Sequence, residues 1–252
     1  MNLNNVFIIP RGKKALIYDT ILMIADVHLG YESEAEEEGV YLPRVQLKEA
    51  LKDIKEVIEE YSLNQIVIAG DLKHKFEALT WQERVEIEEF VKTIRDYGVE
   101  GIVLVRGNHD TFIKRLLTNL GIKTVDGVYE IEDSIAVVHG HVFPGEKVIS
   151  HYKYLVMGHE HPVAVIRLGG MVAARFPAFL FMPLSCCDTK VIVLPAFGVY
   201  QSGNPVSLNN DAYLSPIIRK FGIPDRARLF ISDSGMTLEM PEMRYIKEYI
   251  VA

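Results

Sequence analysis

The chain has 252 residues, 49% hydrophobic and 24% charged, a composition that reads as one globular domain over 1–252 with core enough to need no disulfides. Its net charge of −7 excludes non-specific coating of nucleic acid, which needs a broad basic face, but allows a local basic groove. No apolar run approaches the roughly 20 residues of a membrane span, and "MNLNNVFIIPRGKK" places its apolar run before its basic cluster with no small-residue cleavage site, unlike a signal peptide.

In chain order, "TILMIAD" is a short apolar run of strand type that stops at polar residues. The acid block "ESEAEEEG" reads as a solvated helical face. "RVQLKEALKDIKEVIEEYS" places Val45, Leu47, Leu51, Ile54, Val57, Ile58 and Tyr61 mostly on one helical stripe. After the strand-like "QIVIAGD", Thr80 and Glu83 in "TWQERVEIEEFVKTIRDYG" have capping-box spacing, and Gly98 closes that helix. "GIVLVRGNHD" follows, then a shorter helix over "DTFIKRLLTNLG", then "SIAVVHGH" and "YLVMGHEH". Beyond Pro162, strand-like "VAVIRL", "KVIVLP" and "ARLFIS" alternate with loops rich in Gly, Pro, Ser and Asn. Cys186 and Cys187 are adjacent and poorly placed to bridge one another; read as free thiols, they indicate a cytoplasmic protein. The apolar end "MPEMRYIKEYIVA" is expected to pack on the core or on a second copy, as in a homodimer. The pattern is α/β.

Five apolar runs end in Asp26 and His28; Asp71; Asn108 and His109; His139; and His159 and His161. Strand carboxyl ends are where open α/β sheets bind ligands. One such Asp or His alone is an ordinary turn former or structural residue; five successive strand ends of the same kind serve one purpose. Imidazole, carboxylate and amide oxygen make a mixed site for manganese, iron, zinc or nickel, and the lack of cysteine ligands excludes a structural zinc knot. The residues exceed the needs of one ion, and Asp71, alone on its run, is the natural bridge between two. Two divalent ions against two carboxylates and a bridging hydroxide leave a small positive excess. That excess attracts an anion, and ions about 3.5–4 Å apart form the clamp used for in-line displacement at phosphorus. With Asn108 turned to a metal, His109 is left beside the ions to stabilise charge or protonate a leaving oxygen. Asp110 either holds the other nitrogen of His109 or caps the following helix.

In this order, Asp26-Val-His28, Gly70-Asp71, Gly107-Asn108-His109-Asp110, His139 and Gly158-His159-Glu160-His161 resemble the calcineurin-like metallophosphoesterase superfamily, over roughly residues 22–162. The resemblance implies a four-layer αββα sandwich of two mixed β-sheets flanked by helices, and a binuclear centre of two divalent ions, manganese first. It implies one metal on Asp26, His28, Asp71 and His161, the other on Asp71, Asn108, His139 and His159, and His109 as catalytic acid or charge stabiliser. His139 is preferred to His141 because the family's lone His directly ends its strand. "ADVHLGYE", "GDLKHKF", "GHEHPV" and "LPAFGVYQSGNPV" further resemble the DNA ligase-associated phosphoesterases and their archaeal relatives, and more distantly the SbcD-type nucleases. That similarity implies a phosphodiesterase acting on nucleotides or on DNA or RNA ends, with DNA-processing proteins as partners. It also places His74 beside the scissile phosphodiester, against the alternative of a buried turn histidine. A phosphomonoesterase, a cyclic-nucleotide hydrolase and a non-catalytic scaffold are the competing readings; intact ligands and His109 weigh against the last. Lys73, Lys75, Arg106, Lys114, Arg115 and Lys147 are the candidates for a basic groove, with solvated surface residues as the alternative.

Overall fold

The computed structural model describes residues 1–3, 5–168 and 171–250. Among these, the strands form two mixed sheets of seven and nine strands. The first begins with an antiparallel stretch, Asn2–Leu3, Phe7–Ile8 and Leu16–Tyr18, and continues as a parallel run of Ile21–Ile24, Gln65–Ile68, Gly101–Val105 and Lys123–Val125. The second has its own parallel centre, Ile135–Val138, Tyr154–Met157 and Lys190–Val193, with antiparallel strands outside it.

Side chains alternate along each strand, so each sheet divides its apolar residues between two layers. Leu22, Ile24, Ile66, Ile68, Ile102 and Leu104 pack outward with residues of helices Gln46–Glu60 and Trp81–Asp96. Met23, Ala25, Val67, Ala69, Val103 and Val105 point inward, into one cluster with Ile135, Val137, Tyr154, Val156 and Ile192 of the second sheet. Ala136, Val138, Leu155, Met157, Val191 and Val193 face outward against Ile149, Ile217, Ile218, Met243 and Ile246, from the helices on the far side. The result is the expected αββα sandwich. Each fully buried Leu, Ile or Phe in these layers contributes about 1.5–3 kcal/mol of transfer free energy.

The predicted capping box is present. Thr80 accepts from the backbone of Glu83 while the Glu83 carboxylate accepts from Thr80. Gly98 follows the C-cap at φ 91°, as its place in the sequence implied. Other elements differ. The helix expected from Asp110 begins only at Lys114, with Ile113 as N-cap, because Asp110 is engaged elsewhere. The acid block does form a helix, Tyr31–Glu37, but not a wholly solvated one. Glu32 is buried, and its Oε1 accepts from the backbone N–H of Val45 and Gln46 at the start of the next helix. The 13-residue strand Met171–Pro183, central to the second sheet, was not read from sequence. Of the apolar C-terminal stretch, Met243 and Ile246 pack into the core, while residues 251–252 lie outside the described residues.

Candidate metal centre

Both parallel runs end on the same edge of the sandwich, and their loops interlock there. Asp26 N–H donates to the Gly70 carbonyl at 3.0 Å and His28 N–H to the Asp71 carbonyl at 2.9 Å. Across the sheets, His159 N–H donates to Asp26 Oδ2 at 3.0 Å and the ring Nδ1 of His139 meets the Ala69 carbonyl at 2.9 Å. The motif glycines follow from this crowding. A side chain on Gly107 would overlap Oδ1 of Asp71, and one on Gly70, at φ 89°, would overlap the His139 ring.

Donor atoms converge at this edge. Asp26, His28 and His161 form one cluster with ligand atoms within 4.8 Å of one another, and Asp26, Asp71 and His139 form another. The Asp26 carboxylate lies between them, with Oδ1 3.3 Å from His161 Nε2 and 3.7 Å from His139 Nδ1. Because His139 Nδ1 is held on a carbonyl, its Nε2 faces Asn108 Oδ1 at 3.1 Å and Asp71 Oδ2 at 3.4 Å. Asp26 Oδ1 and His28 Nε2 are buried without hydrogen-bond partners. Such atoms are costly unless something binds them. A divalent cation fits both positions, and its charge fits the pair of buried carboxylates. His159 has its ring 4.9 Å from that of His139 but belongs to none of the donor clusters among the described residues. His141 is likewise outside them, 5.0 Å from His139 between ring centres, with a buried, unpartnered Nδ1.

The electrostatics point the same way. Burial pushes His28 down to about 3 and His159 to about 4, so both are neutral imidazoles with a lone pair to give. Burial opposes ionisation of Asp26 and Asp71 too, yet the neighbouring His161 and His139 hold both carboxyls below the usual range. Burial also disfavours charge on His139, but Asp71 and Asp26 outweigh it and raise that imidazole to about 9. Two buried carboxylates thus demand positive charge from whatever stands between them.

His109 stands at one flank. Its backbone N–H donates to Asp71 Oδ1 at 2.9 Å, and its ring Nδ1 bonds the carbonyl of His74. The group orienting His109 is therefore this carbonyl, not Asp110. Nor does Asp110 cap a helix. It is fully buried and ties the loops after two neighbouring strands together, accepting from Gly107 and Leu72 N–H at 2.8 Å each. The ring of His74 lies parallel to that of His109, 5.6 Å away, and forms a third donor cluster with His28 and His109. Several of the expected groove cations are already engaged by other groups of the protein. Lys73 is buried with its ammonium on the carbonyls of Lys75 and Ala78, Lys75 pairs with Glu37, and Arg106 pairs with Asp126 at 2.7 Å.

Sequence reasoning missed Gln46, Glu34, whose Oε2 lies 3.7 Å from His74 Nε2, and the second use of Glu83, whose Oε1 accepts from Lys75 N–H at 2.6 Å. Buried Gln46 bonds the Val27 carbonyl through its amide and accepts from Val199 N–H at 2.9 Å, clamping the Asp26–His28 loop to the loop after Leu194. Nothing in its helical stripe marks it. The capping-box spacing did mark Glu83, but only as a helix start.

The model of the calcineurin-like phosphoesterase family matches residues 20–164. No curated protein matches the chain. Among solved structures, the Pseudomonas putida nuclease MPE is similar at 24% identity and a TM-score of 0.60, covering 91% of this chain and 93% of that one. Yfce, a phosphoesterase from E. coli, is similar at 16% identity and a TM-score of 0.44, covering 88% and 98%. A protein of unknown function from Aquifex aeolicus, AQ665, is similar at 17% identity and a TM-score of 0.41, covering 70% and 88%.

Proposed function

The chain belongs to the calcineurin-like phosphoesterase family, and from that premise we propose that it is a phosphodiesterase acting on nucleotides or nucleic-acid ends. One observation carries the reading: unpartnered Asp26 Oδ1 and His28 Nε2 lie among converging carboxylates and imidazoles, with His109 fixed beside them. Asp26, His28, Asp71 and His161 would hold one divalent cation, and Asp71, Asn108, His139 and His159 the other. Manganese is the first choice, and iron, zinc and nickel suit the same donors. When bound, the ions supply Lewis acidity toward a phosphoryl oxygen and activation of water.

The protein's own part is positioning and proton handling. With Nδ1 held by the His74 carbonyl, His109 keeps Nε2 to stabilise charge on the phosphate or to protonate the leaving oxygen. His74 positions it, through that carbonyl and through the parallel stacking of the two rings.

Aromatic rings support a substrate that carries bases. Tyr200 stacks on Tyr31 at 5.3 Å, Tyr31 meets His74 at 4.6 Å, and the exposed ring of Phe76 meets His109 edge-on at 5.8 Å. Base stacking on such rings is tolerant of sequence. The fold shared with the Pseudomonas putida nuclease is consistent with this substrate class. We take the chain as one catalytic domain in the cytoplasm, where Cys186 and Cys187 remain free thiols.

The test is a panel with manganese: bis-p-nitrophenyl phosphate, single-stranded DNA, RNA ends, cyclic nucleotides and monoesters. Turnover of diesters above monoesters is expected. Monoesters alone would favour the phosphomonoesterase reading, and no turnover with any divalent metal would end the enzyme reading.

A further inference from the structure

Glu34 belongs to the acid block, and by charge alone it should face water. Its Oε2 is instead buried without a hydrogen-bond partner, 3.7 Å from Nε2 of His74. The other nitrogen of that ring, Nδ1, lies 3.2 Å from Nδ1 of His28. The His28 and His74 rings meet edge to face, 82° apart in plane, and the Tyr31 ring packs against His74 at 4.6 Å. His28 keeps Nε2 buried and bare.

We propose that Glu34, His74 and His28 form one hydrogen-bonded chain that fixes the tautomer and orientation of a metal ligand from outside the metal site. The argument rests on the reading of His28 as a ligand and proceeds by proton positions. For Nε2 of His28 to bind a cation it must carry no proton, so the proton sits on Nδ1. That N–H faces Nδ1 of His74, which accepts only when the His74 proton is on Nε2. The Nε2–H of His74 then faces Glu34 Oε2, and a carboxylate is the acceptor that completes the chain. The 3.7 Å separation is longer than a hydrogen bond, and the proposal requires it to close when His28 takes its cation. The acid block thus contributes a positioning residue, and His74 serves the centre through His28 as well as through His109. Outer partners of metal-bound imidazoles typically account for 10- to 100-fold in metal affinity.

The test is calorimetric titration of manganese into the chelator-stripped full chain, with circular dichroism to verify each variant's fold. His28→Ala should abolish one of two binding events. Glu34→Ala and His74→Ala should each weaken that same event about 10- to 100-fold and leave the other unchanged. His74→Asn keeps an acceptor near the position of Nδ1, so it should restore affinity, and adding Glu34→Ala to it should cost nothing further. Wild-type affinity in Glu34→Ala and His74→Ala, beside a lost event in His28→Ala, would overturn the chain alone. So would a Glu34→Ala penalty that persists in the His74→Asn background. Two full binding events in His28→Ala would remove the ligand reading and the chain with it. The expected affinities in a protein that hydrolyses no phosphoester would uphold the chain and sink the proposed activity.

Discussion

Glu83→Ala removes one acceptor from three backbone donors. Oε2 accepts from Thr80 N–H at 2.8 Å, and Oε1 accepts from Lys75 N–H at 2.6 Å and His74 N–H at 3.1 Å. The residue is fully buried, so water cannot readily replace it. Loss of the cap costs about 1 kcal/mol. The His74 N–H keeps the Leu29 carbonyl at 2.9 Å, so the Lys75 N–H is the loop donor left without its acceptor, at about 1–3 kcal/mol. Relief from burying a carboxyl group offsets part of this, leaving a net loss of about 1–3 kcal/mol. In a chain of this length 1 kcal/mol moves Tm by about 2–4 °C, so a fall of roughly 2–12 °C is expected. Glu83→Gln keeps the Oε1 acceptor and should lose less than half as much. Because the loosened loop carries the carbonyl that orients His109, turnover should fall as well, at temperatures where the variant is still folded. Thermal unfolding by far-UV circular dichroism, with and without manganese, measures the first effect. A Tm change below about 2 °C in Glu83→Ala would refute the assignment of Glu83 to the loop.

His109→Ala should keep two manganese ions by elemental analysis and lose turnover at least tenfold, within the 10²–10⁴ typical of general acid–base groups; loss of an ion would instead make His109 a ligand. Gly107→Ala would drive a methyl group into Asp71, and calorimetry should show manganese binding at least tenfold weaker. Binding equal to wild type would mean that the two loops separate without cost. Lys14 donates to the Gly198 carbonyl at 2.8 Å, and burial lowers its ammonium to about 8. Below pH 8 the folded state therefore carries the cost of a poorly solvated charge. Between 8 and the ordinary 10.5 the unfolded chain holds a proton that the folded one has lost, so stability rises with pH through that window. Lys14→Met should flatten this rise by on the order of 1–2 kcal/mol, allowing for the solvent the side chain still meets. Identical slopes in urea unfolding from pH 7 to 10.5 would contradict it.

Much of the fold was legible because the strands that matter are local. "TILMIAD", "QIVIAGD" and "GIVLVRGNHD" are continuous apolar runs, buried on both faces, that carry their own polar ends, and each is a parallel strand with its candidate ligands at the carboxyl end. What escaped depended on tertiary context. The strand Met171–Pro183 contains two prolines and has an exposed first half, so its pattern does not read as a strand until Lys190–Val193 and Arg228–Asp233 pair with its second half. Glu32 and Glu34 look like solvated charges until the helix carrying them is laid over the start of another helix and over His74. Asp110 was read through its chain neighbours, as a partner for His109 or for the next helix. Its actual donors come from Gly107 and from Leu72, 38 residues away in sequence. Residue identity shows that a group is polar and near a strand end; only packing decides which donor meets it.

The backbone at the candidate ligands leads to one more expectation. Among the described residues, Asp26, His28, Asp71, His159 and His161 have left-handed φ values of 55°, 51°, 48°, 71° and 46°. Asp and His tolerate this region better than most side chains, yet each such residue costs on the order of 1 kcal/mol. The strain is carried by protein contacts, since each loop is pinned by its neighbour: Asp26 N–H on Gly70, His28 N–H on Asp71, Leu29 N–H on Leu72 at 2.8 Å, Phe197 N–H on Ala25 at 2.8 Å. A site held this way is ordered before any cation arrives, so binding need not spend free energy on ordering the loops. Chelation should then lower Tm by mass action alone, with each ion contributing about 2.7 kcal/mol when its free concentration is 100 times its Kd. Amide hydrogen exchange at residues 26–29, 70–74 and 158–161 should stay protected after chelation, apart from the change set by global stability. Selective loss of protection in those segments would show that the cations, rather than the interlocking loops, hold the strained backbone in place.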